Sequence, residues 1–187
     1  MKKFELTNEF ITNMFGTKLF RIRALVEFGD VEAGELGGYV EKESNLGHDD
    51  NAWVYDNAWV YGDAQVSGDA RVYDNAWVYG DAQVSGDAQV SGDARVCGDA
   101  RVCGNGDYAY AHGFGSVNRT TTFFRLKDGG VGVRCGCFYG TLAQFRDKIR
   151  ETHGETKKAQ EYLMLADLME LRFEEDENEV GNRKYVE

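Results

Sequence analysis

Nine consecutive six-residue units run from Asn51 to Gly104 without an insertion: NAWVYD NAWVYG DAQVSG DARVYD NAWVYG DAQVSG DAQVSG DARVCG DARVCG. Every unit has Ala second and Val fourth, from Ala52 and Val54 to Ala100 and Val102. A strict period of six fits neither the turn of an α-helix nor the two-residue alternation of a flat strand. The chain must wind into a solenoid in which each unit is one short strand and one corner. Val is β-branched and stiff, which suits the inward slot of a pleated wall. Ala, four residues on, is small enough to sit where the wall turns, and Gly, Asn and Asp fill corners that need a left-handed backbone.

Residues 57–74 and 75–92 differ at only three positions, so three units make one coil. Residues 18 apart then lie one above another at about 4.8 Å, the spacing of neighbouring strands. This places Trp59 over Trp77, Tyr61 over Tyr79 and Tyr55 over Tyr73, all in outward slots beside the inward Val. An exposed aromatic ladder marks an interface. Trp59, Trp77, Tyr61 and Tyr79 are the expected oligomer contacts, with coverage by the N-terminal segment or the C-terminal helices as the alternative.

The unit Val60-Tyr61-Gly62-Asp63-Ala64-Gln65, an aliphatic residue followed by polar ones and a small one, resembles the hexapeptide-repeat family. The resemblance implies a left-handed parallel β-helix of three regular coils whose prism faces pack into a homotrimer. The Arg-x-Arg-Ala, Gly-x-x-Gly-Gly-Tyr-Val and Glu-Ser-Asn-Leu elements before the repeat, and Gly-Cys-Phe-x-Gly-Thr-Leu and Thr-His-Gly after it, resemble uncharacterised phage-associated members of that family.

The expected fold is mainly β, with four segments. Residues 1–50 are a leader and cap: an amphipathic stretch to residue 17, a strand from Leu19 to Val26, and turns at Gly29, Gly34 and Gly37-Gly38. Residues 51–104 are the β-helix. Residues 105–173 form a small α+β module. There Asn105 to Ser116 is irregular, Asn118–Arg125 and Val131–Phe138 are a hairpin about Asp128-Gly129-Gly130, and two helices follow. Thr141 and Gln144 make a capping box for the first helix, and the second buries Ala159, Tyr162, Leu163, Ala166, Met169 and Phe173. Residues 174–187 form an acidic tail.

Net charge is −11, which argues against duplex nucleic acid as a partner. No apolar run approaches a membrane span, and the N-terminus lacks a signal peptide's hydrophobic stretch, so the expected compartment is the cytoplasm. Cys97 and Cys103 fall in outward slots on different faces, and no CxxC pair or His cluster accompanies Cys135 and Cys137. Reduced thiols and no metal follow.

Against the acidic background, residues 118–150 hold Arg119, Arg125, Lys127, Arg134, Arg146, Lys148 and Arg150 with only Asp128 and Asp147. Arg offers forked donors that match phosphate, Thr adds hydroxyls, and aromatic rings stack on a base. The candidate ligand site is Arg119, Thr120, Thr121, Thr122, Phe124, Arg125, Arg134 and His112, with Arg95 and Arg101 beneath. The expected function is non-catalytic binding of a small anionic, nucleotide-like molecule without a cofactor. In a phage setting, which rests on the resemblance, this would be sequestration of a cyclic nucleotide second messenger. A structural or protein-binding β-helix is the alternative. A second alternative, implied by the hexapeptide resemblance, is a CoA-dependent acyltransferase. Such enzymes use a His base, for which His112 is a better candidate than His48 or His153, but no loop interrupts the nine units to hold a CoA arm.

Overall fold

A computed structural model describes residues 2–115 and 117–174. The acidic tail beyond Glu174, and Ser116, lie outside the described residues.

The repeat winds as its spacing requires. Its nine units contribute nine two-residue strands: β4 (Trp53–Val54), β5 (Trp59–Val60), β6 (Gln65–Val66), β7 (Arg71–Val72), β8 (Trp77–Val78), β9 (Gln83–Val84), β10 (Gln89–Val90), β11 (Arg95–Val96) and β12 (Arg101–Val102). They stack in parallel as three walls, β5-β8-β11, β4-β7-β10 and β6-β9-β12. Every repeat Val and Ala is fully buried. The sixth slot of each unit before the last, whether Gly or Asp, has positive φ, from +50° at Asp56 to +73° at Gly80. Asp in that slot has a second use, because Asp74 Oδ2 accepts the backbone N–H of Gly92 one coil above at 2.9 Å.

The solenoid is longer than the repeat. Strand β3 (Leu36–Val40) adds a rung below β5, pairing Tyr39 with Trp59 and Val40 with Val60. Leu46 bridges Val66 on another wall. Buried Asn45 closes this first turn by donating to the carbonyls of Gly62 and Ala64. The result is about four turns, against three expected from the regular units alone.

Two N-terminal expectations change. The leader forms strand β1 (Phe4–Thr12), antiparallel to β2 (Lys18–Ala24), which pairs with β3. Gly37 and Gly38 lie inside β3 and make no turn there. A Cβ on either would stand 2.5 and 2.7 Å from the carbonyls of Val54 and Ala58, so glycine is required for the backbone to press against the coil. Phe4 and Phe28 pack edge-on against Trp53, which is fully buried. The N-terminal segment therefore covers this one Trp of the repeat.

At the other end, the expected two-stranded hairpin is a four-stranded antiparallel sheet: β13 (Tyr108–Phe114), β14 (Arg119–Arg125), β15 (Val131–Cys135) and β16 (Phe138–Thr141). Within the stretch taken as irregular, Asn105 to Ser116, residues Tyr108–Phe114 are β13. The returning strand is split by a tight turn at Gly136-Cys137, where Gly136 has φ +58°. Central β14 is buried on both sides. Phe124 joins the solenoid core, while Phe123 joins a second core with Val133, Phe145, Ile149, Tyr162 and Ala166. The helices α1 (Leu142–His153) and α2 (Lys157–Phe173) supply that second core. The capping box is as expected, with Gln144 N–H on Thr141 Oγ1 at 3.3 Å and Thr141 N–H on Gln144 Oε1 at 2.9 Å.

The sheet closes the open end of the prism. Leu126 bridges Ala100, the Lys127 N–H donates to the Asp99 carbonyl, and the Arg95 N–H donates to Thr122 Oγ1 at 2.9 Å. The last two of these bonds satisfy a carbonyl and an amide of the last coil that no further rung would reach.

Candidate functional site

Alternation along β14 divides the expected ligand residues between its two faces. Arg119, Thr121 and Arg125 point toward the helices. Thr121 donates to Cys135 Sγ at 3.2 Å, and the Arg125 guanidinium lies 5.4 Å from the Phe173 ring centre. Thr120, Thr122 and Phe124 point toward the solenoid. His112 is on that side as well, with Nδ1 2.8 Å from Thr120 Oγ1, and so is Arg134, which pairs in register with Thr122. Thr121, Thr122 and Phe124 are buried and committed to packing or to the cap. The eight residues do not form one cavity.

The basic island is also largely neutralised from within. Arg146 holds Asp167 at 2.8 Å and Glu170 at 2.7 Å, Arg150 holds Asp147, Lys148 holds Glu151, and Arg125 faces Asp107 at 3.9 Å. A cleft of about 340 Å³ beside Arg125 and the start of α1 is also lined by Asp128, Glu170 and Glu174. Three carboxylates around one guanidinium make it a poor seat for an anion.

What remains is the inside corner between the capping sheet and one wall of the prism. The column on that wall runs Arg21, Tyr39, Trp59, Trp77, Arg95 in register. Trp59 and Trp77 stack 4.4 Å apart at 8°, and Tyr61 and Tyr79 stack 5.0 Å apart at 3°. Both ends of the column are closed by arginine: Arg95 lies 4.3 Å above Trp77, and Arg21 lies 5.5 Å from Tyr39. Arg21 also reaches Glu9. Trp59, Trp77, Tyr61 and Tyr79 are half-buried, each with one flat face against its ladder neighbour.

Arg134 descends from β15 into this corner. Both it and Arg95 act electrostatically on Cys97 and Tyr61. Cys97, expected in an outward slot, is only 3% exposed, and its thiol is pushed up by burial. Burial likewise raises the phenols of Tyr61 and Tyr79, the latter hydrogen-bonded to Cys97. Tyr139 closes the far side by donating to Asp99 at 3.0 Å, and burial and that carboxylate push its phenol up to about 12. Among the described residues, neither Arg95 nor Arg134 pairs with a carboxylate. Arg134 Nη1 has a 3.5 Å contact with the Cys137 carbonyl, and its Nε is buried without a partner. Arg101 is turned away, donating to the carbonyls of Asp81 and Ala100.

The histidines have separate settings. His48 is fixed by the Lys3 N–H and by Glu43, and it stacks on Phe4. His153 stacks on Tyr162. His112 is exposed, and its Nδ1 is the atom nearest both Thr120 and, at 3.9 Å, Asp93. One nitrogen therefore meets both groups, so they do not form a relay through the ring. All four cysteines are free, and no metal-competent cluster of His, Cys, Asp or Glu occurs among the described residues. Nor, among them, is any helix long and apolar enough to cross a membrane.

The repeat at residues 64–80 and 88–104 matches a family model described as the YdcK β-solenoid repeat. Comparison with curated proteins found no match. The chain is thus similar, through its repeat, to β-solenoid proteins of that description.

Proposed function

We propose that the chain is a non-catalytic binding module, a left-handed solenoid whose capped end takes a small phosphate-like anion between Arg95 and Arg134. The supporting observation is the orphaned Nε of Arg134, which with Arg95 acts on the same two side chains, Cys97 and Tyr61, on a protein of net charge −11. Two like charges without a counter-ion in a half-buried corner are unfavourable, and a bridging oxyanion relieves both at once. Arg95 already occupies the free face of Trp77, so a nucleotide's base cannot stack on the tryptophan end of the ladder. Recognition is therefore of phosphate more than of base. Sequestration of a cyclic nucleotide messenger is the narrowest form of this reading.

Calorimetric titration with inorganic phosphate, mononucleotides and cyclic dinucleotides tests it, with mass analysis of the ligand recovered after heating. Intact ligand and loss of binding in Arg134→Ala are expected, while Arg119→Ala, altered on the helix side, binds as the parent does. Equal binding by Arg134→Ala would remove the site, and an altered product would make the protein an enzyme.

A further inference from the structure

The outward face of α2 is apolar where a solvated helix would be polar. Met164, Leu168 and Leu171 are 72%, 54% and 67% exposed. Spaced four and three residues apart, they form one stripe directly opposite the buried Ala159, Tyr162, Ala166, Met169 and Phe173. Both neighbours of α2, the sheet and α1, pack on its other side. The stripe lies outside the proposed anion corner.

We infer that this stripe seats α2 of a second copy of the chain, antiparallel, about a two-fold axis that crosses the stripe at the level of Ala166 and Asp167. In that arrangement Met164 inserts between the partner's Leu168 and the partner's Leu171, and the reverse contact follows by symmetry. The charges agree with it. Glu161, whose own-chain ion pair is a loose 3.9 Å contact with exposed Lys157, and Arg172 flank the stripe on the same side, one toward each end, so the two-fold sets Glu161 against the partner's Arg172 twice over. On the opposite flank the axis brings Asp167 near the partner's Asp167, but each is already neutralised by its own Arg146 at 2.8 Å. A parallel pairing instead leaves Glu161 facing the partner's Gln160 and stacks Met164 on its own copy. One helix seam is smaller than the roughly 800 Å² per partner of a standard interface, so the dimer is weak, with dissociation in the micromolar range.

Sedimentation velocity of the full chain across the micromolar range tests this. A monomer–dimer equilibrium is expected, and Leu168→Glu abolishes it while leaving the circular dichroism spectrum unchanged, because the side chain is exposed. Arg172→Glu weakens the dimer; since Arg172 also donates to the Asn105 carbonyl, the charge swap Glu161→Arg with Arg172→Glu isolates the pair by restoring association. A chain that stays monomeric at hundreds of micromolar overturns the inference. So does an assembly that Leu168→Glu leaves intact, as a trimer through the Trp59 and Trp77 wall would be. Anion binding by Leu168→Glu should equal the parent's, which keeps the two readings separable.

Discussion

The coil and the block that caps it are built on opposite economies of sequence. In the coil a slot has one role repeated at every level: Val78 does between Val60 and Val96 what Val84 does between Val66 and Val102. In the block each residue has a single job. Neighbouring Phe123 and Phe124 enter two different cores, and neighbouring Thr121 and Thr122 bond to a thiol and to a coil amide. A repeat spreads the effect of a substitution over equivalent rungs, whereas the block concentrates it at the junction.

The sharpest way to break that contrast is to remove a junction side chain. Phe124→Ala empties a fully buried position at the end of the prism, and the expected loss is about 3–5 kcal/mol by urea unfolding. Val78→Ala, in mid-coil, is expected to cost about 2 kcal/mol, the transfer term for two methyl-sized groups plus some cavity. Both variants should unfold in one transition, since sheet and coil share a core. A Phe124→Ala loss smaller than that of Val78→Ala, or a separate early transition, would mean that the block only rests on the coil.

Backbone substitutions probe the corners. At Gly86, φ is +60° and a Cβ would collide with the Cys103 carbonyl of the coil above. Gly86→Ala therefore adds a steric clash to the roughly 1–2 kcal/mol of left-handed strain. Gly106→Ala, with open space around it and no positive φ, should be near neutral by the same urea unfolding. Asp74→Asn keeps both the left-handed tolerance and an oxygen for the Gly92 amide, and should fall between them.

The same contrast explains what could be read from the residues. Nine identical spacings leave the coil no alternative, and Gly and Asp alternating in one slot reveal its left-handed corner. The extra first turn escapes that logic because Val40 pairs with Val60, and Leu46 with Val66, twenty residues on instead of eighteen. The shift hides Tyr39 and Arg21, which extend the aromatic column and end it in a cation. In the block, alternation along β14 sends neighbouring residues to opposite sides, but it could not show that the sheet lies between two cores. Arg119 and Arg134 consequently read as neighbours although their side chains leave opposite faces. Ion pairing was invisible for a similar reason: Asp167 and Glu170, which neutralise Arg146, come from a helix more than twenty residues away. Cys97 shows the limit within the repeat itself, since its slot is outward by period but is covered by Tyr139 and Arg134 from the block.

Smaller effects test each end separately. At the block, Thr141→Ala removes the acceptor for the Gln144 amide and should cost about 1 kcal/mol, with Thr141→Ser restoring most of it. At the N-terminal end, Lys3 is only 3% exposed, with its ammonium donating to the carbonyls of Ala52, Asp50 and Asp49. Burial lowers its pKa from 10.5 to about 8, partly opposed by Asp50 and Asp49. Between pH 8 and 10 the unfolded chain keeps this proton and the native chain releases it, so stability should rise with pH. Above pH 10 the sign reverses, because Tyr55 and Tyr139 hold their protons in the native state up to about 12 while unfolded tyrosines ionise. Thermal unfolding should therefore show a shallow maximum near pH 10 for the parent. Lys3→Met should flatten its rising limb and leave the falling limb in place, and a parent curve that declines steadily from pH 8 would mean that the ammonium is solvated and the N-terminal cap open.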